Sequence, residues 1–102
     1  MEFEFASSLP QDEIRERARA FGDYLQNKHK MQVQWTGENV AEVRGKYKLV
    51  KIHADVTVKD AGVHVTGQDP GRLMRAAATH YIKRKLEAYM DPATALDSLP
   101  RG

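Results

Sequence analysis

The feature that most restricts the fold is a segment in which apolar and polar residues alternate without interruption. Its apolar positions are Val50, Ile52, Ala54, Val56 and Val58, and the residues between them are all polar. Successive side chains of a strand point to opposite faces, so the segment predicts a strand with one buried and one solvated face. Such a strand is typical of an antiparallel sheet, and its apolar face needs a covering layer.

Other short segments also favour strands. Glu2–Ala6 places Phe3 and Phe5 on one face, and Met31–Trp35 alternates in the same way. Turn-forming residues separate the remaining strands. The predicted strands are Glu2–Ala6, Met31–Trp35, Val40–Arg44, Val50–Val58 and a return from Val63 to Val65. Turns are predicted at Thr36–Asn39 and Lys59–Gly62, and a turn or bulge at Gly45–Lys46.

The first of two predicted helices follows Ser7. Ser8 is the expected N-cap, Gln11 completes a capping box, and Pro10 is tolerated in a first turn. We expect this helix to end near Asn27–His29. Glu13 and Arg17 are four residues apart and can form an ion pair. The apolar stripe consists of Ile14, Ala18, Phe21 and Leu25.

The second helix is expected to begin with Asp69 as its cap and Pro70 at the first position. It should end near Asp91, because Pro92 disfavours helical geometry in the residue before it. Its apolar stripe consists of Leu73, Met74, Ala77, Ala78, Tyr81, Ile82, Leu86, Tyr89 and Met90.

The resulting order is β-α-β-β-β-β-α. It predicts an α+β fold in which an antiparallel meander of four to five strands carries two helices packed on one face. A chain of 102 residues suits a single domain. We assign residues 1–92 to that domain and residues 93–102 to a short, loosely ordered tail, from which Leu96 and Leu99 can still dock.

Composition narrows the possible functions. The absence of cysteine excludes disulfides, thiolate catalysis and cysteine-ligated zinc. Sixteen basic and fourteen acidic residues give a net charge of only +2, whereas a strong nucleic-acid binder usually carries a larger excess. The N-terminal residues lack the order of a secretory signal, and no apolar stretch approaches a membrane span. We therefore expect a cytoplasmic protein.

The histidines do not form a predicted metal site. If Val58 pairs with Val63, His64 lies opposite Thr57, and His53 lies four residues farther along the same strand. That separation is about 13 Å, too far for both to bind one ion. The expectation for His29, His53, His64 and His80 is that none is a metal ligand.

The remaining residues give no catalytic pattern. No serine lies in a nucleophile elbow, the paired acids Asp12 and Glu13 belong to a helix start, and the glycines form no phosphate-binding loop. We expect no enzyme activity, no catalytic residue and no cofactor. Trp35 continues the alternation of its strand, which favours a core position over an exposed anchor for a partner.

The second helix carries a basic surface that allows two interpretations. Its residues can contact phosphates or a protein partner, or they can form a solvated outer face whose basic end complements the helix dipole. The second interpretation is favoured, because Tyr81 and Tyr89 fall on the apolar stripe rather than among the basic residues. The candidate contact residues are Arg72, Arg75, Lys83 and Arg84.

The chain also resembles a known family. The segment Met31–Gly37 has an aliphatic residue followed by Trp, a polar residue and Gly, and a helix rich in Ala and Arg around Arg15–Ala20 precedes it. After Gly45 come an alternating strand, Val63–Thr66 and a helix ending in Ile82–Tyr89. Over about residues 9 to 91 the sequence is similar to the polyhydroxyalkanoic acid system family. The resemblance implies a small bacterial protein associated with storage granules or their regulation, and it supplies no catalytic residues.

Three functions remain open at this point. The first is a non-enzymatic binding domain, with a protein or a storage-granule surface as partner. The second is a nucleic-acid-binding module that uses the second helix, and the third is a carrier of a small apolar ligand. The oligomeric state is not determined by the sequence, although an open meander leaves edge strands through which a dimer can form.

Overall fold

The computed structural model describes residues 1–47, 50–69 and 71–102, and the side chains of Tyr47, Val50, Arg72 and Leu73 lie outside this description. The elements occur in the predicted order. They are β1 (Glu2–Ala6), α1 (Gln11–His29), β2 (Gln32–Trp35), β3 (Val40–Tyr47), β4 (Val50–Lys59), β5 (Gly62–Gly67), α2 (Arg72–Tyr89) and a short 3₁₀ turn (Leu96–Ser98).

The five strands form one antiparallel sheet in the order β1-β5-β4-β3-β2. The four strands β2 to β5 are a meander, and β1 adds to the free edge of β5. The predicted register is confirmed, since Val58 pairs with Val63 and Thr57 pairs with His64. The chain is therefore an α+β domain of the predicted type, with edges at β1 and β2.

One predicted turn is wrong. The sequence predicts a turn or bulge at Gly45–Lys46, but β3 continues through both residues to Tyr47 in unbroken register, and Gly45 pairs with Ile52. A Cβ atom at Gly45 would lie 2.9 Å from Cγ of Met31, closer than real Cβ contacts allow. Glycine is required here because any side chain at position 45 would collide with Met31. This close approach is a tertiary contact, so the local sequence does not reveal it.

The predicted helix caps are also wrong. No side chain caps α1, whose N-cap is Pro10, and Ser7 rather than Ser8 accepts a hydrogen bond, from the amide of Leu9. Asp69 does not cap α2, which begins after Gly71. The Asp69 carboxylate instead accepts the amide N–H of Gly71 and pairs with Arg75. Pro70, predicted as the first helical residue, lies outside the described residues.

The core lies between the sheet and the two helices. We call the covered side of the sheet its inner face. Ile14 on α1 and Val63 on β5 are the largest side chains that are fully buried. Burying an aliphatic side chain of this size stabilises the fold by about 1.5–3 kcal/mol. The buried cluster comprises Ile14, Ala18, Ala20, Phe21, Ala54, Val58, Val63, Val65, Leu86, Tyr89, Met90 and Leu99.

Helix α2 packs unevenly along its length. Leu86, Tyr89 and Met90 at its C-terminal end are buried, whereas Met74 near its start is 37% exposed. The predicted stripe of α2 is thus buried at one end only. The side chain of Leu73, which belongs to that stripe, lies outside the described residues.

A buried arginine holds the packed end together. Arg17 is only 2% exposed, and its ion pair with Glu13, at 3.0 Å, confirms the predicted pairing. Its guanidinium also donates hydrogen bonds of 3.0, 3.0 and 2.6 Å to the carbonyl oxygens of Tyr89, Asp91 and Thr94. One side chain of α1 therefore binds both the end of α2 and the chain that follows it.

The C-terminal residues lie against α1. Leu99 is buried, Leu96 packs on the core, and Tyr89 donates its hydroxyl hydrogen to the carbonyl oxygen of Pro100 at 2.5 Å. Burial, with a smaller effect from the neighbouring Tyr24 and Tyr81, raises the pKa of Tyr89 to about 12. The docking of both leucines agrees with expectation, while the looseness of residues 93–102 stays a prediction.

Neither α1 nor α2, over the residues described for them, is apolar enough along its length to cross a membrane.

Replacing Arg17 with methionine should strongly destabilise the protein. The substitution keeps most of the side-chain volume but leaves three carbonyl oxygens without their donor, and the expected loss in the free energy of unfolding is about 3 kcal/mol. Urea denaturation followed by circular dichroism measures it. Arg101→Met is the matched control, because Arg101 forms an exposed pair with Asp23 and should cost less than about 1 kcal/mol. Equal losses in the two variants would contradict this role of Arg17.

Candidate functional site

In the described structure, an apolar groove lies between the two helices and the inner face of the sheet. It encloses a volume of about 200 Å³. We call it the groove. Side chains of α1, α2 and strands β2 to β5 contribute to its lining. The apolar lining residues are Met1, Ala18, Phe21, Gly22, Leu25, Met31, Val33, Trp35, Ala41, Val43, Ile52, Ala54, Val56, Val63, Val65, Met74, Ala77, Ala78, Tyr81, Ile82 and Leu86.

Helix α1 forms one wall of the groove and lies close to β2. A Cβ atom on Gly22 would lie 3.2 Å from Cγ1 of Val33, so the absence of a side chain allows this approach. Trp35 is half-buried, packs against the core as predicted and also lines the groove. The guanidinium of Arg19 lies 4.5 Å from the centroid of its ring, a distance that suits a cation–π contact.

Helix α2 forms the opposite wall with small side chains. Ala77 and Ala78 line the groove where a larger residue would reach the sheet. Farther along the helix, Leu86 closes the groove, and Tyr89 packs on Phe21 with ring centroids 5.1 Å apart. The groove is therefore closed near the end of α2 and open near its start.

Polar side chains occur at the rim between the helices. Tyr81 Oη and His29 Nε2 lie 3.3 Å apart, and Lys85 donates a hydrogen bond of 3.4 Å to the hydroxyl of Tyr24. Burial, together with the positive charges of Lys28 and Lys85, lowers the pKa of His29. A neutral imidazole beside the Tyr81 hydroxyl is thus the favoured form at neutral pH.

Met31, Ile52 and Met74 line the groove, and Met74 is the most exposed of the three. Lys46 and Lys51 pair across β3 and β4 and alternate with the inner-face residues Gly45 and Ile52, so their side chains belong to the outer face of the sheet. At the start of α2, Asp69 pairs with Arg75.

The basic residues predicted on α2 differ in their surroundings. Arg75 is paired with Asp69, and the ammonium of Lys83 lies 5.3 Å from the centroid of the Phe3 ring on the β1 side. Arg84 is exposed. The side chain of Arg72 lies outside the described residues. Their role as phosphate or partner contacts stays a prediction.

On the outer face of the sheet the structure assembles one group of metal-binding residue types. One ligand atom each from Glu42, His53 and Asp55 lies within 4.8 Å of the other two. Distances between histidines alone do not reveal this set, because it combines one histidine with two carboxylates. The register Glu42–Asp55 could have indicated it, because cross-strand partners share a face. The Glu42 carboxylate also forms an ion pair with Arg44, so it is less available to a metal ion.

Zinc should bind this outer-face group weakly. It offers three ligands, one of which is already paired with an arginine, whereas structural zinc sites have four. An excess of Zn²⁺ should therefore raise the melting temperature by less than about 1 °C in differential scanning fluorimetry. A larger increase that disappears in His53→Ala and persists in the exposed control His80→Ala would contradict the expectation.

The stability of the protein should fall as the pH drops towards 5, in part because of His29. Its pKa is lower in the folded chain than its ordinary value of 6.5. The unfolded chain therefore binds the proton more readily, and stability is lost as the pH falls from that value through the folded pKa. Urea denaturation between pH 7.5 and 5 should show a flatter profile for His29→Gln. His80→Gln, on the exposed side of α2, should keep the wild-type profile.

Comparison with known proteins places the chain in a family. No curated protein and no solved structure matches it. The sequence model of the polyhydroxyalkanoic acid system proteins matches residues 2–93, which include every strand and both long helices. That match covers far more than half of the 102 residues. The chain belongs to the polyhydroxyalkanoic acid system family.

Proposed function

We propose that this protein is a non-enzymatic, cytoplasmic binding domain whose groove takes alkyl groups of hydroxyalkanoate material. The observation that carries the proposal is an apolar groove left open beside an otherwise packed core. Family membership supplies the chemical setting, because polyhydroxyalkanoic acids are polyesters with alkyl side groups. The family name supports no particular activity.

The size of the groove favours a short alkyl group. Its volume of about 200 Å³ exceeds the roughly 150 Å³ of an engineered apolar cavity that binds benzene. It is smaller than the roughly 300–1,000 Å³ of sites that enclose drug-sized ligands. An alkyl group of a few carbons fits, whereas a complete lipid or a dinucleotide does not.

The chemistry of the lining favours the same ligand. The polar residues of the lining are few, at His29, Lys51, His53 and Gln68, and strand alternation turns the side chains of Lys51 and His53 to the outer face. Each methylene group transferred from water into such a lining contributes about 0.8 kcal/mol. Affinity should therefore rise about fourfold for each added methylene until the groove is full.

Two serine hydroxyls make local hydrogen bonds to the backbone and are not arranged as nucleophiles. Ser7 accepts a backbone hydrogen bond, and Ser98 donates one to the carbonyl oxygen of Ala95. Neither is bonded to a histidine that could act as its base, as nucleophilic catalysis requires.

Filling the groove should abolish binding. Trp35 is the only tryptophan and lines the groove, so its fluorescence reports on occupancy by 1-butanol, 1-pentanol and 1-hexanol. In Ala78→Phe the added ring occupies the groove, and the affinity for 1-hexanol should fall at least about tenfold, because two or more methylene groups are displaced. Co-sedimentation with isolated polyhydroxyalkanoate granules should decrease in parallel.

Ala76→Phe is the matched control. Ala76 is exposed on the same turn of α2 and does not line the groove, so this variant should retain wild-type affinity. Circular dichroism spectra of both variants check that α2 is formed. The proposal fails if neither alkanols nor granules bind the wild-type protein, or if both variants lose binding equally while remaining folded.

A further inference from the structure

We propose that this protein forms a twofold dimer through the free edge of β2, in which the β2 strands of two copies pair antiparallel and join the two sheets into one. The dimer goes beyond the proposed function and does not depend on what the groove binds. The backbone groups that β2 leaves unbonded and the charges along the two edges of the sheet support it.

The pairing of β2 with β3 decides which backbone groups of β2 face outwards. The amide of Thr36 donates a hydrogen bond of 2.9 Å to the carbonyl oxygen of Val40. Bonded and non-bonded pairs alternate along an antiparallel ladder, so Gln34 also turns its backbone groups towards β3. The N–H and C=O groups of Val33 and Trp35 therefore point away from β3. Among the residues that the structure describes, none forms a hydrogen bond with these groups.

The opposite edge of the sheet is protected by charge. The amide of Gly67 donates a hydrogen bond to the carbonyl oxygen of Met1, so the outward-facing backbone groups of β1 belong to Glu2 and Glu4. A twofold pairing centred on β1 would place Glu4 opposite its own copy, and like charges directly opposite destabilise a sheet. The exposed side chains of β2 are uncharged glutamines. The edge at β2 therefore lacks the charges that commonly keep edge strands apart.

One register bonds all the outward-facing groups of β2. With Gln34 on the twofold axis, Val33 lies opposite the partner's Trp35 in a hydrogen-bonded pair, and symmetry repeats that pair. Lys30 and Glu38 are equally far from Gln34 along the chain, so Lys30 of one copy lies at the same end of the joint as the partner's Glu38. Lys30 forms no ion pair with a described residue, and the side chain of Glu38 is 73% exposed. The two ends of β2 are thus complementary in charge.

The dimer would place both grooves on one side. Its twofold axis is perpendicular to the joined sheet, so the inner faces of both copies point the same way, with five strands from each copy side by side. The helices and the grooves lie on those inner faces. Two sites that face the same way can engage one extended surface together, which raises the overall affinity without a new contact.

Light scattering after size-exclusion chromatography tests the dimer on the full chain. Over a dilution series the mass should rise from 11.6 kDa to twice that value. Gln34→Lys should raise the dissociation constant at least about fivefold, because it opposes two ammonium groups on the axis. Within one copy the new lysine lies opposite Glu42 and is tolerated. Thr66→Lys is the matched control, since it adds the same charge beside Glu2 and Asp55, away from β2, and should leave the dissociation constant unchanged.

An introduced cysteine locates the axis, because the chain contains none of its own. In a non-hydrogen-bonded pair the two Cα atoms are about 4.5 Å apart, which a disulfide can bridge. Gln34→Cys should therefore form a covalent dimer under mild oxidation, visible on a non-reducing gel. Gln32→Cys lies on the same strand and face but opposite the partner's Thr36, so it should remain a single chain under the same conditions.

Three outcomes would overturn the proposal. The first is a mass of one chain at every concentration, which would leave the edge of β2 to a different protein. The second is an equal change in the dissociation constant for Gln34→Lys and Thr66→Lys. The third is a disulfide that forms in Glu4→Cys and not in Gln34→Cys, which would assign the dimer to β1. Circular dichroism checks that each variant is folded, and the cysteine variants decide if the lysine variant is not.

Discussion

A buried guanidinium determines how the two helices are held. Arg17 on α1 donates hydrogen bonds to three carbonyl oxygens at and beyond the end of α2. These bonds join the helices at that end and satisfy carbonyl groups that would otherwise need water as a partner. The stacked rings of Phe21 and Tyr89 add apolar contact at the same place. Towards the start of α2 the side chains are small or exposed, and the helix stands away from the sheet. The groove is a consequence of this asymmetry.

The elements and the sheet register could be predicted because local patterns specify them. The alternation in β4 identifies the buried face, and the short turn before β5 fixes the pairing of Val58 with Val63. The continuation of β3 through Gly45 could not be predicted, because it depends on a methionine that is distant in sequence. The same holds for the start of α2, where Asp69 pairs with Arg75 instead of capping the helix.

The sequence contains only an indirect indication of the groove. Ala76, Ala77 and Ala78 are three small residues in succession near the start of α2, where a helix that covered the sheet would need larger side chains. The sequence indicates the burial of Arg17 more clearly, because this residue lies three positions after Ile14 and four before Phe21 on the buried face of α1. The ion pair between Arg17 and Glu13 was predictable from their spacing. The position of Arg17 on the apolar stripe of α1 does not identify its other partners, the carbonyl oxygens at the end of α2. The groove depends on side-chain volumes, and the burial of Arg17 depends on carbonyl groups that are distant in sequence. Neither is a property of the local sequence.

Helix α2 is packed mainly at its C-terminal end, so a change in its tilt would displace its N-terminal end most. About fifteen residues separate Met74 from Tyr89, which corresponds to roughly 22 Å along the helix axis. A rotation of about 10° about the Tyr89 end would displace the Met74 end by about 4 Å, which is close to the contact distance between two carbon atoms. A change in tilt of this size would alter the width of the groove near Met74, while the hydrogen bonds of Arg17 remain in place.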